Sequence, residues 1–184
     1  QSLSVQKAKR FKFLQISTDE VYGDIEMFQK PVNERASYKP SSTYSASKAS
    51  GDHLIKAYHR TYGFPAMISN CSNNYGPFQN KEKFIPLILN NLLKQKKIPV
   101  YGSGQQIRDW LYVDDHCEAL LKIMTYGKIG ENYNIGSNNE ITNLDLIKKI
   151  ILILFERSII NNDNPDNYIE FVNDRLGHDK RYAI

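Results

Sequence analysis

The sequence predicts an α/β fold with a largely parallel sheet. Short apolar segments that favour strands alternate with longer segments that show a helical spacing of apolar residues, along most of the 184 residues. Parallel strands need such helical crossovers between them. Hydrophobic residues make up 41% of the chain, and no apolar run approaches the ~20 residues that span a bilayer. These observations favour a globular chain with a buried core and no membrane partner.

Strands, helices and loops follow from local patterns along the chain. Strands are expected where short apolar or alternating runs occur, namely at residues 11–17, 66–69, 98–101, 107–113, 132–135 and 168–172. Helices are expected where apolar residues recur at three- and four-residue steps or follow a capping residue, namely at residues 43–62, 84–94, 114–126 and 142–155. Polar or turn-rich segments are expected to be loops or irregular, namely residues 18–39, 70–80, 161–167 and 173–184.

Residue types at three helix ends support these bounds. Gly63 stands where a glycine in the left-handed conformation would end the helix over residues 43–62. Asp114 is expected to cap the helix that runs to about Tyr126, and Thr142 or Asn143 to cap the last helix.

The composition limits the classes of partner. The 24 basic and 20 acidic residues give a formal net charge of +4, which suits an anionic small molecule and lacks the density of a nucleic-acid-binding surface. Cys71 and Cys117 are too few for a disulfide framework and lack the spacing of metal ligands. We therefore expect no metal site, no nucleic-acid partner, and two buried free thiols in a reducing, cytoplasmic compartment.

Thr18, Asp19 and Glu20 directly follow the first predicted strand. Ligands of open α/β sheets bind beyond the carboxyl ends of the strands. Two neighbouring carboxyls repel, so one is more easily kept protonated near neutral pH, and the pair can then give one proton and take another. The alternative is a structural role, a helix N-cap followed by acids in the first turn.

Tyr44 and Lys48 are four residues apart on a predicted helix, so they share one face. A nearby ammonium favours the phenolate and lowers the pKa of a tyrosine, which is otherwise a poor base at neutral pH. Such a pair can take the proton of an alcohol while its hydride leaves. The alternative is a pair of ordinary residues on the surface of the helix.

Both motifs in this order resemble the extended, nucleotide-sugar-modifying branch of the short-chain dehydrogenase/reductase superfamily, the NAD-dependent epimerase/dehydratase family. The resemblance extends over nearly all of the chain in separate blocks, namely residues 17–23 (STDEVYG), 41–54 (SSTYSASKASGDHL), 70–87 (NCSNNYGPFQNKEKFIPL), 99–115 (PVYGSGQQIRDWLYVDD), 134–143 (NIGSNNEITN) and 173–184 (NDRLGHDKRYAI).

The resemblance implies a partial Rossmann-like, doubly wound parallel sheet with a small C-terminal substrate-binding region. Residues 1–135 would be the C-terminal half of the NAD-binding domain, interleaved with substrate-binding segments at about 75–110. Residues 136–184 would form the substrate-binding C-terminal region. No glycine-rich strand–turn–helix motif occurs in the 184 residues, so the chain is expected to be the back half of a longer enzyme.

The adjacent acids Asp19 and Glu20 narrow the implied activity to a lyase, a nucleotide-sugar 4,6-dehydratase that acts on dTDP-glucose with NAD as a recycled cofactor. The product would be a 4-keto-6-deoxy sugar for deoxysugar (rhamnose) biosynthesis, and the full-length parent would be a homodimer. Two alternatives remain open: a UDP-sugar epimerase or decarboxylase, and a truncated, non-catalytic fragment.

The resemblance also implies the catalytic roles. Tyr44 would deprotonate the sugar 4-hydroxyl, and Lys48 would lower the Tyr44 pKa and hold the nicotinamide ribose. Thr18 would hydrogen-bond the sugar near C4. Glu20 would remove the C5 proton, and Asp19 would protonate the departing 6-hydroxyl.

The implied binding residues fall into two groups. Cofactor contacts besides Tyr44 and Lys48 would come from Ser17 and Asn74. Substrate contacts would come from Asn73, Lys83, Phe84, the nucleobase-bracketing Pro99, Val100 and Tyr101, the pyrophosphate-facing Arg108 and Arg175, and Asn143, Asp174 and His178.

Several of these residues have simpler interpretations. Asn73 and Asn74 could be turn residues, Arg108 could form a surface ion pair with Asp109, and His178 could be an exposed tail residue. Packing roles are expected for the aromatic residues Tyr22, Tyr75, Trp110 and Tyr112. Leu176 and Thr43 stand where the family commonly has proline, which is expected to loosen the segment around Arg175 and to leave the helix start unaffected.

Overall fold

Strands and helices alternate over residues 11–184, the part of the chain that the computed structural model describes. Residues 1–10, which fall in the predicted NAD-binding region over residues 1–135, lie outside the described part of the chain. The strands are β1 (Phe13–Thr18), β2 (Ala66–Cys71), β3 (Asn73–Tyr75), β4 (Ile98–Tyr101), β5 (Ile107–Tyr112), β6 (Asn132–Ile135), β7 (Glu140–Thr142) and β8 (Ile169–Val172). The α-helices are α1 (Thr43–Tyr62), α2 (Phe84–Leu93), α3 (Val113–Tyr126) and α4 (Asn143–Glu156), and short 3₁₀ helices cover Asp19–Tyr22 and Pro165–Asn167.

The central sheet has the strand order β1–β2–β6, and both pairs are parallel. The middle strand, β2, is buried from Ala66 to Asn70, as a strand covered on both faces must be. Helix α1 forms the crossover between β1 and β2. The predicted parallel α/β arrangement is therefore confirmed.

Two smaller sheets complete the fold. In one, β5 pairs parallel with β3 and antiparallel with β7, and in the other β4 pairs parallel with β8. The prediction of a loop over residues 70–80 is wrong where β3 lies, and β7 was not predicted. Both strands have three residues and pair with β5, which is more than 25 residues away in sequence, so a local pattern could not reveal them.

Buried apolar side chains form three clusters. The largest joins α2, α4 and β4 through Ile88, Leu92, Ile98, Val100, Ile147, Ile151, Leu154 and Ile160. The second packs α3 on β2, β5 and β6 through Met67, Leu111, Ile123 and Ile135. The third packs the first 3₁₀ helix on α1 through Val21, Tyr22 and Ala49. This third cluster sets the position of the acid pair relative to the helix of Tyr44 and Lys48.

The helix ends confirm two of the three predicted caps. Gly63 ends α1 with a left-handed φ of 66°, and the Thr142 hydroxyl accepts the N–H of Asp145 at 3.0 Å at the start of α4. The prediction for Asp114 is wrong, because α3 begins at Val113 and its N-cap position is occupied by Tyr112. Asp114 instead lies in the first turn, where a negative charge favours the helix N-terminus.

The structure also bears on predictions made from composition. No helix in residues 11–184 combines the length and apolarity that crossing a membrane requires. Both cysteines are free, but Cys117 is exposed and Cys71 only half-buried, so the prediction of two buried thiols is wrong. The division of the chain at residue 135 stays a prediction.

Candidate active site

The acid pair lies directly beyond the end of β1, at one edge of the central sheet. Thr18 ends β1 and is paired with Cys71, the last residue of β2. The 3₁₀ helix over Asp19–Tyr22 begins at once and packs against α1. The expected placement of these acids at a strand end is confirmed.

Thr18 has a clear structural role at this position. Its Oγ1 accepts the backbone N–H of Glu20 at 3.3 Å and donates to Oδ1 of Asp19 at 3.2 Å. The N-cap interpretation is therefore confirmed, and both acids lie in the first turn. It does not compete with an acid–base role, because the cap engages neither Oδ2 of Asp19 nor the carboxyl of Glu20.

Asp19 carries the most perturbed carboxyl of the site. The residue is 3% exposed, and its Oδ2 has no hydrogen-bond partner among the described residues. Burial, and to a lesser degree repulsion by Glu20, raises the pKa of Asp19 to about 7. Repulsion between the two acids is thus the second cause of the shift and not, as the sequence suggested, the main one. A carboxyl with this pKa can hold a proton at neutral pH and release it.

Glu20 is more open to solvent than Asp19. Burial raises its pKa, and the positive charges of Arg108 and Lys83 oppose that shift, while the carboxylate of Asp179 adds to it. The two acids therefore have different environments, which is the condition for giving them different roles.

Tyr44 and Lys48 project from α1 near this pair, and the charges of Glu20 and Asp19 act on the phenol. The structure thereby brings the two sequence motifs together. Burial, followed by repulsion from Glu20, raises the pKa of Tyr44. Lys48 Nζ donates to the carbonyl of Ile16 at 2.7 Å. The expected lowering of the Tyr44 pKa by Lys48 is therefore wrong in this arrangement.

The two residues expected to touch a cofactor beside this pair have partners within the protein. The Ser17 hydroxyl is buried and donates to Oδ2 of Asp52 at 2.7 Å. The Asn74 amide donates to the carbonyl of Ser72 at 2.9 Å, and its oxygen lies 2.8 Å from Nδ1 of His116. Asn74 and its neighbour Asn73 lie in β3, so the interpretation of both as turn residues is wrong. The Asn73 side-chain oxygen is buried without a partner among the described residues.

Lys83 and Phe84 mark the start of α2. Lys83 is the exposed N-cap residue, and its charge lowers the pKa of Glu20, which places the ammonium within electrostatic reach of the acid. Phe84 stacks on Trp110 with ring centroids 6.1 Å apart and an interplanar angle of 19°. Trp110 is 7% exposed, which confirms its expected packing role.

The residues expected to bracket a nucleobase lie on β4, where alternate side chains face opposite sides. Val100 is 2% exposed within the largest apolar cluster, so its side chain packs in the core, and the bracketing of a nucleobase by residues 99–101 stays a prediction. Pro99 and Tyr101 are half-buried. The guanidinium of Arg175 lies 4.0 Å from the centroid of the Tyr101 ring.

Arg108 is buried and not, as one interpretation held, paired with Asp109 at the surface. Its guanidinium donates to the carbonyls of Ile107 at 2.7 Å, Asp179 at 2.9 Å and Lys180 at 3.3 Å. It also lies 4.3 Å from the centroid of the Tyr182 ring. The Asp109 carboxylate instead accepts bonds from residues 137 and 139.

The C-terminal segment contributes a second polar cluster. Asp174 accepts a hydrogen bond from Gln106 at 3.1 Å and lies 2.7 Å from Nδ1 of His178. The His178 side chain is 16% exposed, so its interpretation as an exposed tail residue is wrong. Asn143 is the first residue of α4, and its N–H donates to the carbonyl of Gln106 at 2.9 Å. Leu176 is fully exposed.

Some polar residues near the site were missed at the sequence level. Asp52 is buried, and so is His116, which contacts Asn74. Asp179 accepts hydrogen bonds from the hydroxyls of Tyr182 and Ser41. A signal existed for Asp52, which follows Lys48 by four residues on the same helix face. The others are brought to the site by tertiary packing.

Comparison with known proteins decides the family. A family model described as GDP-mannose 4,6 dehydratase matches residues 2–184. The chain belongs to this family. A solved structure confirms the Rossmann-like α/β class and agrees with this membership. It is a dTDP-glucose 4,6-dehydratase of Bacillus anthracis in complex with NAD. It superposes with a TM-score of 0.87 at 45% identity, over 98% of this chain and 54% of that one.

Other members of this dehydratase and epimerase group are similar as well. A dTDP-glucose 4,6-dehydratase of Haemophilus influenzae is 50% identical over 100% of this chain and 55% of its own length. A UDP-glucuronic acid 4-epimerase of Bacillus cereus, in complex with UDP-glucuronic acid and NAD, has a TM-score of 0.81 at 30% identity, over 94% of this chain and 52% of its own. The chain thus spans about half the length of the relatives it matches.

Proposed function

We propose that the protein represented by this chain is a dTDP-glucose 4,6-dehydratase, a lyase that uses NAD. The observation that carries the proposal is the buried carboxyl of Asp19, whose pKa of about 7 suits an acid that must be protonated before it acts. Its neighbour Glu20 is more open and can serve as the base. The similarity to enzymes named dTDP-glucose 4,6-dehydratase supports the same activity.

The residues present fit part of an NAD site. Tyr44 is 53% exposed, and Lys48 uses its ammonium to bond one backbone carbonyl. An ammonium has three donors, so Lys48 keeps the capacity to bind ribose hydroxyls. NAD would supply the hydride acceptor for C4 of the sugar and the hydride donor for C6.

Elimination is the step that requires two carboxyls. Once C4 is a ketone, the C5 proton is acidic and passes to Glu20, while the proton of Asp19 passes to the 6-oxygen and water leaves. Tyr44 takes the proton of the 4-hydroxyl at the start, and Thr18 is proposed to hydrogen-bond the sugar near C4. Because hydroxide is a poor leaving group unless it is protonated, the elimination needs an acid, and this is the role proposed for Asp19.

Substrate binding is proposed for charged, polar and aromatic residues from several segments, of which Lys83 and Arg108 act electrostatically on Glu20. Lys83, Arg108 and Arg175 supply positive charge suited to a pyrophosphate. Tyr101 and Pro99 present side chains from one face of β4 and are proposed to flank the nucleobase. The remaining proposed contacts come from the polar or aromatic residues Asn73, Phe84, Asn143, Asp174 and His178.

A 4-epimerase is the competing activity, because a UDP-glucuronic acid 4-epimerase shares the fold at 30% identity. Epimerisation needs the tyrosine but eliminates no water, so it has no use for a buried, protonated carboxyl such as Asp19. The features of this acid pair therefore favour the dehydratase.

The test is incubation of the native protein that contains this chain with NAD and either dTDP-glucose or UDP-glucose. We expect formation of dTDP-4-keto-6-deoxyglucose, detected by its alkaline absorbance and by mass. Epimerisation of UDP-glucose without any dehydrated product would overturn the proposal.

The proposal extends to assembly and location. The side chains of Leu54, Tyr58 and Tyr62 on α1 are exposed and apolar, which suits a homodimer that uses this helix. The free thiols of Cys71 and Cys117 suit the cytoplasm. The product class suits deoxysugar biosynthesis, including that of rhamnose.

A further inference from the structure

A buried carboxyl that the proposed mechanism does not use lies beneath the candidate active site. Asp52 is on α1, four residues beyond Lys48 and eight beyond Tyr44. Its side chain is 0% exposed, and no ion pair with it is formed by the described residues. Burying a carboxyl is costly unless hydrogen bonds compensate it, so this position has a specific purpose.

Three donors from three different segments converge on Oδ2 of Asp52. Ser17, next to the end of β1, donates its hydroxyl at 2.7 Å. Tyr38, from the loop before α1, donates at 3.0 Å, and the Asn70 amide, from β2, donates at 3.4 Å. One side chain of α1 therefore joins the helix to both strands whose ends form the site.

The same network reaches the residue that starts the acid pair. The Asn70 amide also donates to the carbonyl of Thr18 at 3.3 Å. Ser17 directly precedes Thr18, which caps the turn of Asp19 and Glu20. A displacement of Asp52 would therefore be transmitted to the acid pair within one or two residues.

We propose that Asp52 is a positioning residue that holds the helix of Tyr44 and Lys48 in fixed relation to Thr18, Asp19 and Glu20. The inference rests on the proposed function, in which groups from both motifs act on adjacent carbons of one sugar. A misplacement of about 1 Å at a reacting centre can lower a rate by about 100-fold, so such a link has a direct effect on turnover.

The decisive variant is Asp52→Leu, which removes the acceptor and keeps the branched shape of the side chain in a somewhat larger group. In the native protein that contains this chain, we expect kcat for dTDP-glucose to fall by about tenfold or more per folded, NAD-loaded enzyme, with KM changed less than about twofold. Asp52→Asn should keep kcat within about threefold, because its amide oxygen can accept the same bonds. Asp115→Asn, an exposed acid on α3, is the matched control and should match the unsubstituted enzyme.

A double-mutant cycle separates positioning from general stability. Ser17→Ala should lower kcat by itself but add little to Asp52→Leu, because the hydroxyl has then already lost its acceptor. Full additivity of the two, or a normal kcat per folded molecule in Asp52→Leu, would overturn the inference. If Asp52→Leu does not fold, Ser17→Ala decides, and an unchanged kcat for Ser17→Ala would overturn it.

Amide hydrogen exchange tests the positioning by Asp52 without requiring turnover, so it can fail or succeed independently of the proposed function. Loss of the network should speed amide exchange at residues 18–22 in Ser17→Ala and Asp52→Leu, while Asp115→Asn leaves it unchanged. If the unsubstituted protein does not convert dTDP-glucose, the proposed function fails, and the exchange rates still test the positioning. Unchanged exchange at residues 18–22 would refute the positioning itself.

Discussion

Asp19 shows how much one residue depends on its surroundings. An aspartate in water ionises near 3.8, whereas burial raises the pKa of this one to about 7. Its Oδ1 is held by the Thr18 hydroxyl at 3.2 Å, and its Oδ2 is left without a partner among residues 11–184. A buried oxygen without a partner among the described residues is where a proton would reside.

Replacing Asp19 tests its role as the acid. Asp19→Asn cannot supply a proton, so we expect kcat for dTDP-4-keto-6-deoxyglucose formation to fall by about 10²–10⁴. Exchange of the C5 hydrogen with deuterated solvent should continue, because Glu20 is unchanged. Asp115→Asn serves as the control, and a turnover within a few-fold of normal in Asp19→Asn would exclude Asp19 as the acid.

The pKa of Asp19 also predicts how stability depends on pH. Between about pH 4 and 7 the folded chain keeps this proton and the unfolded chain releases it. The free energy of unfolding should therefore fall as pH rises through this window, by an amount on the order of 4 kcal/mol for the full shift. Urea denaturation at pH 5 and pH 7.5 should show about 2.5 kcal/mol of this loss, because part of it already occurs below pH 5.

Asp19→Asn provides the comparison for that measurement. The variant lacks the ionisable group, so its loss of stability between the two pH values should be smaller than in the unsubstituted chain. An equal loss in both proteins would mean that other groups cause the pH dependence.

At the scale of elements, helix α1 both carries Tyr44 and Lys48 and packs against the 3₁₀ helix of the acid pair. Its first turn is fixed by a reciprocal capping box between Ser42 and Ser45, which sets where Tyr44 emerges. Its inner face packs on the acid-bearing 3₁₀ helix through Ala49 and bonds both strand ends through Asp52. The helix therefore presents two groups to the site and also locates the acids opposite them.

The end of the 3₁₀ helix gives a second prediction. Gly23 and Gly63 both have positive φ values, 78° and 66°, so alanine is strained at either. A Cβ at Gly23 would lie 2.1 Å from the carbonyl oxygen of Lys39, whereas one at Gly63 would meet nothing within 4 Å. Gly63→Ala should cost about 1 kcal/mol, and Gly23→Ala about 2 kcal/mol more.

Thermal or urea unfolding of the two variants compares the sites directly. Gly63 lies in the left-handed region at a ψ of 24°, whereas Gly23 combines its positive φ with a ψ of −165°, a conformation that is essentially restricted to glycine. The difference between the variants therefore reports the contact with Lys39 together with the extra backbone strain at Gly23, and equal destabilisation would contradict the prediction.

At the scale of the whole molecule, the candidate site is assembled from segments distant in sequence. The acids follow β1, the phenol and ammonium lie on α1, and the arginines come from β5 and the C-terminal segment. Arg181 secures that segment, because it is buried and donates to Glu140 and to the carbonyls of Glu26 and Gln29. The site therefore forms only when the chain is folded as a whole.

Cofactor binding also depends on the whole molecule, because it needs an element that these 184 residues do not contain. The 184 residues contain no glycine-rich loop before a helix, which is the element that binds a dinucleotide pyrophosphate. Calorimetric titration of the 184-residue chain with NAD should therefore show binding at least about 100-fold weaker than in the native protein that contains it. Micromolar binding with turnover by the 184-residue chain would contradict this expectation.

The sequence by itself determined the long elements, the two motifs proposed to be catalytic and their resemblance to a family. Helix α1, β4 and β6 have the predicted bounds, because amphipathic spacing, Gly63 and short apolar runs are local signals. Strands β3 and β7 were not predicted, since a three-residue strand exists only through its partner β5. The burial of Val100 followed from the packing of β4 against α2 and α4.

Tertiary structure alone decided the chemistry of the site. The sequence shows that residue 19 is an aspartate, but its pKa of about 7 results from desolvation by the elements that pack around it. Likewise, the sequence places Asp52 on the face of Tyr44 and Lys48, yet only folding brings Ser17, Tyr38 and Asn70 to its carboxylate. Spacing along a helix is a local property, whereas burial and hydrogen bonding depend on residues that are distant in the chain.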